Sequence, residues 1–369
     1  MNRNLKIPYL ESLRGIAALT VAIFHFDNGS VLNNSFTKNG WLMVDFFFIL
    51  SGFVISLNYQ SKMKNISDVF IFQFKRFVRL YPLHLIMLIV FLGIELTKYY
   101  FNSAYGIESN IAPFLHNNLK SFVFNIFLVQ NLFSDHLTWN TQSWSISSEF
   151  YTYLIFSFLA LYVFKNKYLI YLISLIIVIL SLLFIYNHSM ETKYGFVRCL
   201  YSFFLGLIIF NLSQIKIIKF SKYVSYILFF IVILLVSVAE KESEIGINMF
   251  IPMIFGFFIL TLECSKNENY LKKMLDNKYF IYLGTISYGI YMVHTAVWWT
   301  ANQMLRFIFN FETEVNSAGA IKIQFENYFH ANLVMFLGLI IIIAISHLSY
   351  KYIERSANKY KNKISLTNQ

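Results

Sequence analysis

Long apolar runs alternate with short polar or basic segments along almost the whole chain. Runs that approach a bilayer crossing lie at 12–31, 40–58, 80–98, 146–164, 168–186, 197–213, 223–239, 247–263, 279–304 and 332–350. A spanning helix needs about 20 mostly apolar residues, because hydrocarbon offers the backbone no partner and every amide must be satisfied within the helix. The pattern predicts an all-α polytopic membrane protein of about ten transmembrane helices. A further segment, KSFVFNIFLVQNLF (120–133), is too short to cross and reads as one short re-entrant or interfacial helix.

The basic residues orient these spans. Arg3 and Lys6 precede the first. Lys62, Lys64, Lys75, Arg76 and Arg79 precede or enter the third. Lys165 and Lys167, then Lys216, Lys219 and Lys222, then Lys266, Lys272, Lys273 and Lys278 occupy later loops, and Lys351, Arg355, Lys359, Lys361 and Lys363 follow the last span. With about ten crossings all of these fall on the cytoplasmic side, as the positive-inside rule requires, and AEKESE (239–244) falls outside. A crossing at 120–133 would flip every later basic loop. Charge parity therefore predicts both termini cytoplasmic. The domain reading is a transmembrane domain over 1–355 and a cytoplasmic tail over 356–369. No repeat of fixed period and no linker interrupt it.

Composition agrees with this class. The chain of 369 residues is 57% hydrophobic, 19% aromatic and only 13% charged, against about 25% charged in soluble domains. The net charge of +11 clusters between apolar runs, so the expected partners are membrane lipids and no nucleic acid. Cys199 and Cys264 lack metal-ligand spacing and fall near opposite faces, so neither a metal site nor a bridge is expected. The first apolar run has no small-residue cleavage site and reads as a retained span.

Ionisable residues inside apolar runs carry the chemistry, because such groups usually face a protein interior or a water-filled cavity. Arg14 and His25 lie eleven residues apart in ESLRGIAALTVAIFHF. On a helix that is a rise of about 16 Å with a return to within about 20° of the same face. Asp45, near the outer end of the second span, is predicted at the depth of His25. It could fix the imidazole tautomer for general-base work, or serve as an interfacial or capping residue. Arg76 and Arg79 share a helix face, and two guanidiniums so placed suit a phosphate or reach to lipid headgroups. Arg14 adds a third cation at the same mouth. In NTQSWSISSEF, Trp144 fits an interfacial belt, whereas Glu149 one turn further in could orient a hydroxyl acceptor or pair with a cation. Ser145 and Ser147 read as helix-capping residues rather than nucleophiles. His294 lies mid-span, open to a structural or a functional role. His84, His116, His136, His188, His330 and His347 show no supporting constellation.

Taken together, Arg14-x10-His25, DFFFILSGFVIS, RFVR (Arg76, Arg79), WSISSE (Trp144 to Glu149), ISYGIYMVH (to His294) and YIERS near the C-terminus resemble the acyltransferase-3 family of integral membrane O-acyltransferases, over nearly the whole chain. Ile146 stands where the family usually has Leu, and Ser356 where it often has Pro. Some members carry a fused extracytoplasmic esterase-like domain, for which no room is expected here. The resemblance implies transfer of an acyl group, usually acetyl, from cytoplasmic acyl-CoA to a hydroxyl of an extracytoplasmic carbohydrate, such as a surface polysaccharide or lipid-linked glycan, at a bacterial cell (inner) membrane. Acetyl-CoA would then be a co-substrate, with no permanently bound cofactor and no metal. Roles follow for Arg14, Arg76 and Arg79 with the donor, and for His25, Asp45 and Glu149 in catalysis. In that scheme Trp144, Ser145 and His294 are candidates for the acceptor side. The alternative is a transporter of a glycan or small solute, using His25, Asp45 and Glu149 as a proton relay.

Overall fold

The computed structural model describes residues 7–163, 166–240, 246–265, 269–315, 321–325, 327–357 and 359. Arg3, Lys6, Lys165, Lys266, Lys361, Lys363, the acidic residues at 242 and 244, the end of the tail and the side chain of Lys167 lie outside this description.

The chain folds as an all-α bundle with long apolar helices, with one small exception. α1 (Pro8–Phe24) opens with Pro8, whose missing N–H would be unpaired in a first turn anyway. It stops well before residue 31, because Asp27-Asn28-Gly29 is turn chemistry: Gly29 takes φ 77°, and the Asn33 side chain binds the backbone of Phe26, Asn28 and Ser30. A 3₁₀ turn (Thr37–Leu42) leads into α2 (Met43–Tyr59). α3 (Ile66–Tyr105) runs 40 residues, started by an Asn65–Asp68 capping box and ended by Gly106 at φ 66°. That length is about 60 Å, twice a bilayer's hydrocarbon thickness.

The segment 120–133 is not one helix. It forms α4 (Leu119–Ile126) and α5 (Gln130–Phe133), interrupted where Leu128 adopts φ 58°. Eight residues rise about 12 Å, too little to cross. Then follow α6 (Trp144–Val163), α7 (Lys167–His188), α8 (Gly195–Ser213), α9 (Lys222–Ser237), α10 (Ile251–Glu263) and the short α11 (Tyr270–Leu275). The run expected at 279–304 is broken at Ile286 into α12 (Lys278–Thr285) and α13 (Ser287–Phe307), which meet at 66°. β1 (Thr313–Val315) and β2 (Ile321–Ile323) form an antiparallel hairpin, with Glu314 opposite Lys322, in a connection the sequence reading left without structure. α14 (Tyr328–Ser349) closes the bundle and continues into a π-helical turn at Tyr350–Glu354.

Among the described residues six helices are long and apolar enough to cross a membrane, or seven if the bent pair α12–α13 is one span. α9 and α10 are apolar but shorter, at 16 and 13 residues. α7 carries an outward apolar stripe of Leu172, Ile176, Leu180 and Leu183, spaced as one helix face, which suits lipid contact.

α2 is the buried axis, and two glycines decide how it packs. A Cβ on Gly52 would lie 1.9 Å from the Phe203 carbonyl oxygen, and one on Gly206 would lie 2.1 Å from that of Ile49. The backbones of α2 and α8 therefore touch, as small residues allow between membrane helices. Gly15 and Gly284 do the same for α1 and α12, where a Cβ on Gly284 would sit 1.9 Å from the Glu11 carbonyl oxygen. Gly206→Ala is expected to cost about 1–3 kcal/mol of stability by overpacking. Gly93→Ala, where the added Cβ meets nothing within 4 Å, should instead be neutral or stabilising by up to about 1 kcal/mol. Unfolding midpoints of the two variants in detergent check the contrast.

Candidate active site

The contact between α2 and α8 places Asp45 against Arg198. Their side chains meet at 2.7 Å and are 0% and 1% exposed respectively. Arg198 also donates to the Met190 carbonyl at 2.5 Å, and Ser202 donates to the other Asp45 oxygen at 3.3 Å. The guanidinium lies between the rings of Trp41 and Trp144, at 5.4 Å from each centroid. This corrects two expectations. Asp45 does not partner His25, because its carboxylate is taken by Arg198. Trp144 is not an interfacial belt residue; it is buried against the ion pair and packs edge-on to Phe48.

His25 is the C-cap of α1, just past its last helical residue. Trp298 holds this end on α13: its indole N–H donates to the Ala22 carbonyl at 2.8 Å, and its ring stacks on Phe26 at 4.3 Å. The His25 Nδ1 lies 2.8 Å from the Val21 carbonyl, which can only accept, so Nδ1 carries the proton. Nε2 then holds a lone pair, and the Gln142 side-chain amide donates to it at 2.8 Å. Gln142 is fixed in turn, since its carbonyl accepts from Ser145 and Tyr291, both at 3.1 Å. The Ser145 hydroxyl meets that of Tyr291 at 2.7 Å, so Ser145 braces α6 against α13. Asn140, binding the Met292 carbonyl at 2.9 Å, ties the same segment to α13.

His294 repeats the arrangement. Its Nδ1 lies 3.0 Å from the Ile290 carbonyl, and its ring centroid is 5.0 Å from that of His25. It is fully buried, and its Nε2 has no partner among the described residues. Two imidazoles from α1 and α13 thus converge, each oriented by a carbonyl one helical turn back.

The remaining charges gather along the inner part of the bundle. Arg14 is half-buried and pairs with Glu11 at 3.6 Å. Arg76 is buried in a ring cage of Tyr59, Phe72 and Tyr153, and donates to the Tyr59 hydroxyl at 3.1 Å. Arg79 keeps partial exposure and lies within electrostatic reach of Glu11, Glu149 and Glu354. Glu149 accepts from the Tyr153 hydroxyl, which also meets Ser51 at 2.7 Å. The RFVR, WSISSE and YIERS segments therefore converge. Glu149 belongs to this cationic group, and no described hydrogen bond joins it to His25.

Arg198 and Gln142 were missed in the sequence. Arg198 had a signal, a lone cation in the apolar run 195–213, whereas Gln142 sits in a polar stretch that distinguishes no residue.

An apolar helical bundle thus brings two imidazoles together at one place and gathers arginines and carboxylates at another. The chain belongs to the acyltransferase-3 family: residues 7–351 match its acyltransferase domain. It is 25% identical to a Staphylococcus aureus (strain COL) protein named as a candidate O-acetyltransferase, over 96% of this chain and 57% of that protein. It is 26% identical to the peptidoglycan O-acetyltransferase OatA of Listeria monocytogenes, over 79% of this chain and 49% of that protein. It is 30% identical to the acyltransferase MdmB of Streptomyces mycarofaciens, over 42% of this chain and 39% of that protein. The chain thus spans about half the length of the curated relatives it matches. No solved structure matches it.

Removing either member of a buried ion pair strands the other charge and typically costs about 3–5 kcal/mol. Asp45→Ala and Arg198→Leu are each expected to destabilise by that order, and the double variant by less than their sum. A double-mutant cycle on thermal unfolding in detergent measures the coupling.

Proposed function

We propose that the chain transfers an acyl group, in the first instance acetyl, from cytoplasmic acyl-CoA to a hydroxyl of an extracytoplasmic carbohydrate such as a surface polysaccharide or lipid-linked glycan. The reading includes a bacterial cell membrane setting, about ten crossings with α9 and α10 among them, and both termini cytoplasmic. The observation that carries it is His25, whose Nδ1 is committed to a carbonyl and whose Nε2 therefore presents a lone pair where α1, α13 and the segment before α6 meet. Family membership supports acyl transfer, and the peptidoglycan acceptor named for the Listeria relative supports a glycan hydroxyl.

Arg14 and Arg79, both partly exposed, would take the phosphates of the donor at the inner mouth, with Arg76 beside them. The pantetheine arm would run from there toward His25, a span of about 16 Å along α1. The acceptor hydroxyl displaces the Gln142 amide from Nε2 and gives its proton to that nitrogen as its oxygen bonds to the thioester carbonyl carbon. The carbon–sulfur bond then breaks, and the thiolate of CoA takes the proton from His25. The Val21 carbonyl steadies the imidazolium in between, in the place expected of Asp45. His294, with its unpartnered Nε2, faces the same space and is available to hydrogen-bond the acceptor. Nothing in this arrangement favours the carrier reading.

His25→Ala is expected to lower kcat by about 10²- to 10⁴-fold, with thermal unfolding unchanged. Arg79→Ala should raise the KM for acetyl-CoA by about tenfold or more, the worth of one charge-assisted hydrogen bond, with a smaller effect on kcat. Acetyl transfer to purified cell-wall glycan, in proteoliposomes with labelled acetyl-CoA, measures both. Full activity in the His25 variant would remove this mechanism.

A further inference from the structure

A cavity lies beside the His25 site, between the start of α6, the connection before α8 and the loop after α5. It encloses about 220 Å³. Its walls include Gln130, Asp135, Thr141, Trp144, Glu191 and Lys193. We propose that this cavity is the binding subsite for one pyranose ring of the acceptor, held by hydrogen bonds to neutral and acidic side chains. The proposal rests on the acyl-transfer reading for its purpose, but not for its chemistry.

The volume falls below the roughly 300–1,000 Å³ of ordinary small-molecule pockets, so it suits one ring rather than an acyl chain or a nucleotide. The wall chemistry selects further. An aliphatic tail would cover the Gln130 amide oxygen and the Asp135 carboxylate without giving either a partner, at a cost of about 1–3 kcal/mol each. A phosphate would face the carboxylates of Asp135 and Glu191, while the one lysine in the wall, Lys193, is already paired with Glu191 at 3.4 Å. A polyol meets neither objection, since each hydroxyl both donates and accepts, and the Trp144 indole supplies an apolar surface for ring carbons. One wall group is unfilled: Gln130 is 5% exposed, its amide nitrogen serves Ser143, and its Oε1 has no partner among the described residues. Buried acceptors are rarely left so.

Position connects the cavity to the base. The Thr141 hydroxyl in its wall lies 3.4 Å from the Gln142 amide nitrogen, the same nitrogen that donates to His25. A ring seated against Thr141 therefore lies one side chain from the imidazole. Asp135 and Lys193 are exposed, which leaves the cavity open to solvent.

Saturation-transfer NMR on the full chain in detergent, with methyl β-D-glucopyranoside and methyl N-acetyl-β-D-glucosaminide as probes, reads occupancy without turnover. The expected result is transfer to ring protons of at least one glycoside. Asp135→Ala should weaken that binding by about tenfold, as loss of a charge-assisted hydrogen bond does. Ser134→Trp, which fills the cavity from its half-buried wall, should abolish it, and both variants should keep wild-type affinity for acetyl-CoA. Absence of signal from both glycosides, or binding that survives Asp135→Ala unchanged, overturns the proposal; the aspartate variant decides alone if Ser134→Trp fails to fold. Glycoside binding without any acyl transfer would instead overturn the acyl-transfer reading and leave the subsite standing.

Discussion

The ion pair between Asp45 and Arg198 is the interaction on which the rest of the bundle depends. A lone charge at bilayer depth costs at least about 2.5–3.5 kcal/mol, and far more on an isolated helix. Here both charges are removed from water, and the guanidinium meets a carboxylate, the Met190 carbonyl and two indole faces. The pair gathers α2, α8, the start of α6 and the turn that precedes α2. It can form only because Gly52 and Gly206 let two backbones meet, so a steric fact about missing Cβ atoms underlies an electrostatic one. Trp144, in the wall of the cavity beside the His25 site, packs against the same cation.

The scaffold holds the two histidines in the same way. In each, the Nδ1–H donates a hydrogen bond to the carbonyl four residues earlier, which leaves Nε2 as the acceptor nitrogen. A carbonyl orients a ring as firmly as a carboxylate but carries no net charge. Among the described residues no carboxylate is hydrogen-bonded to either ring, so on the acyl-transfer reading no fixed anion there would hold a proton back from the leaving group. Glu11, Glu149 and Glu354 stand instead around Arg79, and Glu11 lies a rise of about 21 Å from His25 along α1.

Much of the architecture was legible because its cause is local. Runs of apolar residues set α6, α7, α8 and α14 to within a few residues, and Arg14, Arg76 and Arg79 were legible as one cationic group, whereas Glu149, expected beside the acceptor, stands with those cations instead. The end of α1 was misplaced although Asp27-Asn28-Gly29 announces a turn, since hydropathy averages across it. The break at Ile286 has no proline or glycine at the bend itself; Gly284 two residues earlier serves the contact with α1, which no single segment reveals. The partner of Asp45 lay 153 positions away, and equal depth in the membrane made His25 as reasonable a choice. Gln142 carried no signal, because its role comes from where Tyr291 and Ser145 fix its backbone.

The length of α3 has a consequence for where this protein can work. Arg79 near the inner mouth and Glu95, which secures the 114–117 loop through the Phe114 amide and Asn117, are about 24 Å apart along one continuous helix. Between them lies Pro82, which lacks the amide that would bond one turn back and is where this stretch can bend. A lipid environment of different thickness must then be met by leaning or bending the helix rather than by stretching it. The acyl chain length of the surrounding lipids would then set the lean of this one helix.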